Sequence, residues 1–339
     1  MDFCFSMLFI CFISALIFEP SIAFESFQKS YSLICDVLLP SVFPFLIVTQ
    51  MAVLTNIKDF ISLPFLWIFR LLKLPYKLAP LFLCSVLGGY PTGVKALSAG
   101  CDSKALTKEE ACEFLPFLIN AGPGFVVMAV GKMMFGSLKL GIILYISQIA
   151  SSLIIGRILF KDRNIKPGVI TNALTYSDAL IVSVNGACDS MMGICGFVLF
   201  FSLVNSFAVR LMGEGISVKL IASFTEVTNG CKIASGIKGG YLLSSFLISF
   251  SGLSCIYQVK SIASKSGINA GHIFTIKLLE GAAAAFITCL LVKLYPITVN
   301  TTALQSPPLH FYSGNRILET FLLGALFCRL FAGSDFTKK

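Results

Sequence analysis

The chain has 339 residues, of which 56% are hydrophobic and 13% are charged, and its mean hydropathy is +0.87. A soluble domain carries about 25% charged residues, so this composition excludes an ordinary water-soluble protein and predicts an all-α polytopic membrane protein. The formal net charge of +9 comes from basic residues scattered between apolar runs, a pattern that argues against nucleic-acid binding.

Apolar runs follow one another along nearly the whole chain and predict about 8–10 transmembrane helices. Glu19 and Glu25 outweigh Lys29 after the first run, which places that loop outside, whereas the basic stretch Lys161–Lys166 marks a cytoplasmic linker. We favour an uncleaved first membrane helix over a cleaved leader. The predicted parts are an N-terminal membrane helix and external loop (1–32), a first membrane half (33–160), a cytoplasmic linker (161–178), a second membrane half (179–296), and an external loop, last membrane helix and cytoplasmic tail (297–339).

Glycine and proline clusters interrupt the apolar runs at corresponding places in the two halves. The first half contains Gly88–Gly93 and Asn120–Gly124, and the second contains Thr225–Gly230 and Ser249–Gly252. Broken helices persist at membrane depth only when they are buried in protein or line a wet cavity. Paired interruptions in two halves are typical of the central site of a transporter. We therefore predict broken helices and re-entrant hairpins in two pseudo-repeat halves.

The stretch Gly88–Gly93 also has the glycine spacing of a phosphate-binding loop, G-x-x-x-x-G-K-[ST]. However, Val94 follows the second glycine and Lys95 comes one place late. A helix interruption is therefore the better interpretation.

Polar residues beside the interruptions are the candidates for binding a solute or a coupling ion. Asn120 can both donate and accept hydrogen bonds, and it precedes glycines that let the chain approach a ligand. Glu226 can bind a coupling cation, carry a proton or hold a substrate group, or it can form an ion pair with Lys219 or Lys232. From the residues alone, the predicted set is Thr92, Asn120, Gly122, Pro123, Gly124, Glu226, Thr228, Asn229 and Gln258. Solute and ion are expected to meet near the midplane, between Thr92, Asn120, Glu226 and Asn229.

Other polar residues in the apolar runs have structural interpretations. Lys277 and Glu280 lie one helical turn apart and are expected to satisfy each other. Gln50 and Gln148 are expected to form hydrogen bonds between helices, an interpretation that also applies to Gln258, although its position favours a functional role. The sequence lacks G-x-S-x-G and H-E-x-x-H, and its 12 cysteines form no C-x-x-C. We therefore expect no catalytic residues, no metal and no cofactor.

Four stretches resemble a known family: Leu39–Asn56, Gly88–Gly100, Glu109–Gln148 and Thr225–Gly230. They are similar to the YlbJ family of sporulation integral membrane proteins, which is grouped with proteins bearing a nucleoside-recognition, or Gate, domain. The resemblance runs from about residue 33 to residue 296. It implies a solute-translocating architecture of helical hairpins and the cell membrane of a spore-forming bacterium.

The resemblance also implies site residues at matching positions. These are Gly89, Tyr90, Pro91, Gly93, Asn120, Gly122, Pro123, Glu226 and Gly230. The chain departs from the family pattern at Gly124, where a larger apolar residue is expected, and at the extra Gly88. Both departures are expected to loosen the break or shift its specificity.

Two classes of function follow. The first is a transporter or permease of the sporulating cell that works by alternating access, and the second is a non-transporting membrane scaffold of a sporulation complex. A membrane enzyme is a weaker third class. The expected partners are the lipid bilayer, a small solute of unknown identity and a coupling ion, with homo-oligomer formation left open and no nucleic acid.

Overall fold

The computed structural model describes residue 10 and residues 12–55, 65–75, 78–102, 106–160, 174–212, 216–269 and 271–297. These residues form helices joined by short turns, and none of them lies in a β-strand. The prediction of an all-α chain is confirmed. Most of the predicted cytoplasmic linker and the predicted last membrane helix lie outside the described residues.

The α-helices are α1 (12–18), α2 (Pro20–Leu33), α3 (Leu39–Leu54), α4 (65–71), α5 (Leu78–Gly88), α6 (Tyr90–Asp102), α7 (Lys108–Phe114), α8 (Leu138–Leu159), α9 (Tyr176–Met212), α10 (Ile216–Thr225), α11 (Val227–Ser235), α12 (Tyr241–Phe250), α13 (Gly252–Lys265) and α14 (Ile273–Leu294). Ile34–Leu38 and Gly124–Met134 have the wider π-helical turn, and Pro116–Leu118 form one 3₁₀ turn.

Long apolar helices confirm a polytopic membrane protein. Among the described residues, five stretches are long and apolar enough to cross a bilayer: Pro20–Ala52, Leu138–Leu159, Tyr176–Arg210, Tyr241–Lys265 and Ile273–Leu294. Two shorter apolar helices, Leu78–Gly88 and Gly124–Met134, accompany them. The total of 8–10 spans stays a prediction.

The stretch predicted as an external loop after the first membrane helix is helical instead. Residues Pro20–Leu33 form α2 and continue through the π turn into α3. Pro20 stands at the start of the helix, where its missing N–H has no intrahelical partner to lose. Glu25 and Lys29, whose charges suggested a loop, form an exposed ion pair of 2.6 Å one turn apart, and such pairs support a helix.

The end of the predicted linker also differs, because α9 begins at Tyr176. The Thr175 hydroxyl accepts a hydrogen bond from the Asp178 backbone N–H at 3.3 Å and lies 2.6 Å from an Asp178 carboxylate oxygen. This is an N-terminal helix cap. Residues 176–178 therefore belong to the helix that opens the second half.

All four predicted interruptions are present. Gly89 separates α5 from α6 with φ of +81°, and residues 119–122 leave helical geometry before the π helix. Glu226 separates α10 from α11, and Ser251 and Gly252, with φ of +77° and +66°, mark the junction of α12 with α13. The glycine and proline clusters in the sequence therefore mark real helix ends.

The interruptions pack against one another in pairs within each half. A Cβ atom on Gly89 would lie 3.2 Å from the backbone nitrogen of Gly122, and one on Gly252 would lie 3.1 Å from that of Val227. The helices that follow the interruptions then cross to the other half, with α6 packed on α13 and the π helix packed on α11. The two halves thus repeat one packing scheme.

A phenylalanine cluster holds the 3₁₀ turn that precedes the second interruption. Phe117 stacks on Phe82 with ring centroids 4.6 Å apart, and Phe69 and Phe160 meet it edge-on. Phe117 and Phe82 are fully buried. This packing fixes the place at which the chain turns into the unwound segment 119–122.

Candidate functional site

The interruptions meet at one largely apolar cavity of ≈ 60 Å³. Three of them supply lining residues directly, and α13, which starts at the fourth, adds Ser254, Cys255 and Gln258. The lining residues are Leu38, Val42, Phe45, Leu46, Leu87, Gly88, Gly89, Tyr90, Pro91, Gly122, Gly124, Phe125, Ile194, Phe197, Val198, Glu226, Val227, Thr228, Ser254, Cys255 and Gln258. An apolar cavity of about 150 Å³ holds a benzene ring, so in this conformation the space suits a few waters or a group of a few heavy atoms.

Glu226 is the carboxylate of the cavity and also the N-terminal cap of α11. One carboxylate oxygen accepts a hydrogen bond from the Thr228 N–H at 2.9 Å, and the other accepts one from the Asn229 N–H at 2.6 Å. The first N–H groups of a helix lack intrahelical partners and carry positive partial charge. Glu226 therefore neutralises the helix start, while its side chain still borders the cavity.

Gln258 places an amide in the cavity wall, and its side chain is buried. Within the described part of the chain no hydrogen bond engages this amide, which lies against Gly193 of α9. Its donor and acceptor atoms therefore keep their hydrogen-bonding capacity for a group in the cavity. Such a residue is a candidate for contacting a bound solute.

Tyr90 connects the two halves at the edge of the cavity. It starts α6, immediately after the interruption at Gly89, and its hydroxyl donates a hydrogen bond of 2.8 Å to the Ile248 carbonyl of α12. The two residues are 158 positions apart in the chain. The first interruption is thus tied to the helix that leads to the fourth.

Behind the cavity, side chains hold the carbonyl groups of the unwound segment 119–122. The Lys277 ammonium donates to the Ile119 carbonyl at 2.6 Å, and the Gln148 amide donates to the Ala121 carbonyl at 3.0 Å. Asn120 donates to the Phe117 carbonyl at 3.0 Å and to the Ser85 hydroxyl at 2.9 Å. Lys277 also forms a buried ion pair with Glu280, as the sequence predicts.

One curated protein resembles the chain along most of its length. The sporulation integral membrane protein YlbJ of Bacillus subtilis (strain 168) is 23% identical over 334 aligned positions, which cover 84% of this chain and 81% of that protein. The chain is therefore a YlbJ-like membrane protein. No family model matches it, and no solved structure gives a significant match. Since neither half alone makes up 84% of the chain, the likeness to YlbJ extends into both halves.

The structure brings eight of the predicted site residues of this YlbJ-like protein to the cavity. They are Gly89, Tyr90, Pro91, Gly122, Gly124, Glu226, Thr228 and Gln258. Gly88 and Gly124 were expected to loosen the break, but both mark tight contacts. A Cβ atom on Gly124 would lie 2.1 Å from the Ser41 carbonyl, and one on Gly88 would lie 2.5 Å from the Thr92 side chain.

The remaining predicted residues lie outside the cavity lining, in supporting positions. Thr92 of α6 donates to the carbonyl of Gly88, the last residue of α5, at 2.9 Å, and Asn229 donates to the Ser202 hydroxyl at 2.7 Å. Pro123 precedes the π helix with φ of −64°. Gly93 and Gly230 allow close approach of the Leu118 and Ser223 carbonyls. Of Thr92, Asn120, Glu226 and Asn229, predicted to meet at one site, only Glu226 borders the cavity.

Sequence reasoning missed the apolar wall that α3 and α9 contribute to this YlbJ-like protein. Ile194, Phe197 and Val198 have the three- and four-residue spacing of one helix face. The same spacing occurs on any membrane helix that packs on a neighbour, so it does not distinguish a cavity wall from a lipid-facing surface. Ser254 and Cys255 follow the interruption at Gly252, and their position after that glycine is the signal that could have identified them.

Proposed function

We propose that the chain is a permease for a small solute in the cytoplasmic membrane of a spore-forming bacterium. The observation that carries the proposal is the convergence of interruptions from both halves on one cavity. Helix interruptions at membrane depth supply backbone groups and side chains that coordinate solutes and ions. The relation to a sporulation integral membrane protein supports the cellular setting.

The cavity offers a polar group set on a mainly apolar wall. Glu226, Thr228 and Gln258 lie on the second-half side, and Leu38, Val42 and Phe45 belong to the apolar wall. The solute we propose has an apolar body and a polar group that these three side chains engage. The small volume corresponds to an occluded conformation, which opens when the halves move relative to each other.

The first test is thermal unfolding of the purified full-length protein in detergent with nucleosides, small carboxylates, amino acids and metal ions. A ligand that binds the folded state raises the melting temperature by mass action. Gln258→Leu is the variant of choice because its amide engages no described residue. We expect this variant to melt at or slightly above the native temperature and to lose the ligand response.

Gln148→Leu is the matched control, since Gln148 holds the Ala121 carbonyl outside the cavity. It should melt at a lower temperature but keep the ligand response. A response that survives in Gln258→Leu would place the ligand elsewhere and contradict the proposed site.

A non-transporting scaffold is the second candidate, and one observation favours it. The interruptions at Ile119 and Glu226 satisfy their backbone groups with the chain's own side chains. The folded state therefore needs no bound solute at these two places. A flat response to the whole panel, from protein shown to be folded, would favour the scaffold over the permease.

A further inference from the structure

A buried ammonium group lies against the unwound segment of the first half. Lys277 belongs to the first turns of α14, its side chain is 0% exposed, and its Nζ lies 2.6 Å from the Ile119 carbonyl oxygen. Glu280, one turn further along α14 and 1% exposed, is its ion-pair partner. Lysine is almost never fully buried unless it is paired, so the burial of Lys277 requires groups that stabilise its positive charge.

Besides Glu280, the group that stabilises the ammonium is the carbonyl-rich end of an interrupted helix. Ile119 directly follows the 3₁₀ turn Pro116–Leu118, where carbonyl groups lose their intrahelical donors and carry negative partial charge. Unwound carbonyls of this kind coordinate Na⁺ or protons in transporters built from broken helices. Here Ser152 and Gln148 supply neutral donors to Phe117 and Ala121, whereas the donor to Ile119 carries a full positive charge.

We propose that the Lys277 ammonium is the resident cation of a monovalent-cation site at Ile119. The site consists of the Ile119 carbonyl and the Glu280 carboxylate, and the lysine side chain fills it permanently. Lys277 and Glu280 together carry no net charge. A free cation added to them would leave a buried charge without a counter-ion, which is costly. The native protein therefore takes up no Na⁺ or K⁺ at this position.

The surroundings support a site for a cation over a simple packing contact. Three acceptor oxygens around the segment are buried without a donor among the described residues: Asn120 Oδ1, Gln148 Oε1 and Glu280 Oε1. Glu280 Oε1 belongs to the ion-pair partner of Lys277, and the Asn120 and Gln148 side chains donate to the Phe117 and Ala121 carbonyls on either side of Ile119. Removal of the lysine side chain would leave the Ile119 carbonyl and the Glu280 carboxylate without a cation, a set that suits a monovalent cation.

Lys277→Ala tests this inference, because it removes the atoms that n-propylammonium can restore. Melting temperatures of the full-length protein in detergent are compared in sodium, potassium, n-propylammonium and choline chloride at equal ionic strength. We expect the native protein to melt at one temperature in all four salts. We expect Lys277→Ala to melt lower in choline and to recover by about 3 °C or more in n-propylammonium or Na⁺.

The double variant Lys277→Ala with Glu280→Gln is the control, and it should not recover, because the anionic ligand is gone. A saturable rise of the native melting temperature with Na⁺ that Glu280→Gln abolishes would overturn the inference, since it would show that the site at Ile119 takes up free cations. Equal melting of Lys277→Ala in every salt would also overturn it. If Lys277→Ala does not fold, the melting temperature of the native protein is measured at increasing Na⁺ concentration. An unchanged melting temperature supports the inference, and a saturable rise that Glu280→Gln abolishes overturns it.

The inference is independent of solute transport. A flat response to the solute panel would contradict the permease and leave the resident cation standing. Conversely, a saturable Na⁺ response of the native protein that Glu280→Gln abolishes would overturn the resident cation without affecting the ligand response of the cavity.

Discussion

Two interruptions of the fold expose backbone groups of opposite partial charge. At Ile119 the chain exposes carbonyl groups, and a lysine from α14, 158 positions away, supplies the positive charge. At Glu226 the chain exposes the N–H groups that begin α11, and Glu226 itself supplies the negative charge. The interruption at Ile119 depends on a remote helix, whereas the one at Glu226 is satisfied locally.

The two interruptions also contribute differently to the wall of the cavity. The locally capped interruption places its charged group in the cavity wall. The remotely held interruption keeps its charged group behind the wall, and only backbone of that segment, at Gly122, lines the space. In the proposed permease, the interruption at Glu226 would contact the solute with side chains, and the one at Ile119 with the backbone of Gly122.

The largest effect is expected from Lys277→Met, which tests the remote support. The substitution leaves the Glu280 carboxylate buried without its cation and the Ile119 carbonyl without its donor. Breaking one partner of a buried ion pair typically costs about 3–5 kcal/mol. We expect the free energy of unfolding, measured by denaturant titration in a mild detergent, to fall by that amount.

The companion variant Lys277→Met with Glu280→Gln removes both charges and should recover most of the loss, because a neutral pair carries no desolvation penalty. If the double variant is as unstable as the single one, the carbonyl contact and not the unpaired carboxylate dominates. Lys277 would then stabilise the segment at Ile119 mainly through its hydrogen bond and less through its charge.

Substitutions of Glu226 test the local support and should have a smaller effect. Glu226→Ala removes the acceptor for two N–H groups at the start of α11, and loss of such a cap costs about 2 kcal/mol. Glu226→Asp keeps a carboxylate cap and should lose less, with Glu226→Gln between the two. Unfolding in denaturant gives this order directly, and a Glu226→Gln variant as stable as the native protein would contradict the charge-based cap.

The sequence predicts the places of the interruptions better than the means that hold them. Gly89 and Gly252 have positive φ, a requirement for glycine that is local, and Gly122 allows the close approach of Gly89. The one-turn spacing of Lys277 and Glu280 likewise predicts their ion pair. The sequence does not predict the contact of Lys277 with Ile119, because this contact depends on how α14 packs near the 3₁₀ turn.

The same limit applies to the candidate site. Glu226 and Gln258 are identifiable because polar residues beside interruptions are uncommon in an apolar chain. Asn120 and Asn229 have the same appearance in sequence, yet they face Ser85 and Ser202 and lie outside the cavity lining. The direction in which a side chain points from an irregular turn is set by tertiary packing, which spacing alone does not specify.

Gly89→Ala tests the contact between paired interruptions, and Gly239→Ala is its matched control. Both glycines have positive φ, of +81° and +76°, so an alanine at either position costs about 1 kcal/mol. A Cβ on Gly239 would meet open space, whereas one on Gly89 would lie 3.2 Å from the Gly122 nitrogen. We expect Gly89→Ala to be less stable than Gly239→Ala by about 1 kcal/mol. Equal stability of the two variants would show that the interruptions have room to separate.

The smallest effect is expected from Tyr90→Phe, which removes the hydroxyl that ties α6 to the Ile248 carbonyl. A single neutral hydrogen bond contributes about 1 kcal/mol, and the ring remains to fill its place in the wall. Because this bond joins the two halves, its loss should favour conformations in which they separate. Hydrogen–deuterium exchange should then rise at the start of α6 and at the end of α12, while exchange in α8 stays at the native rate. An equal rise in all three helices would mean that the bond stabilises the fold as a whole, and that the halves do not move as separate units.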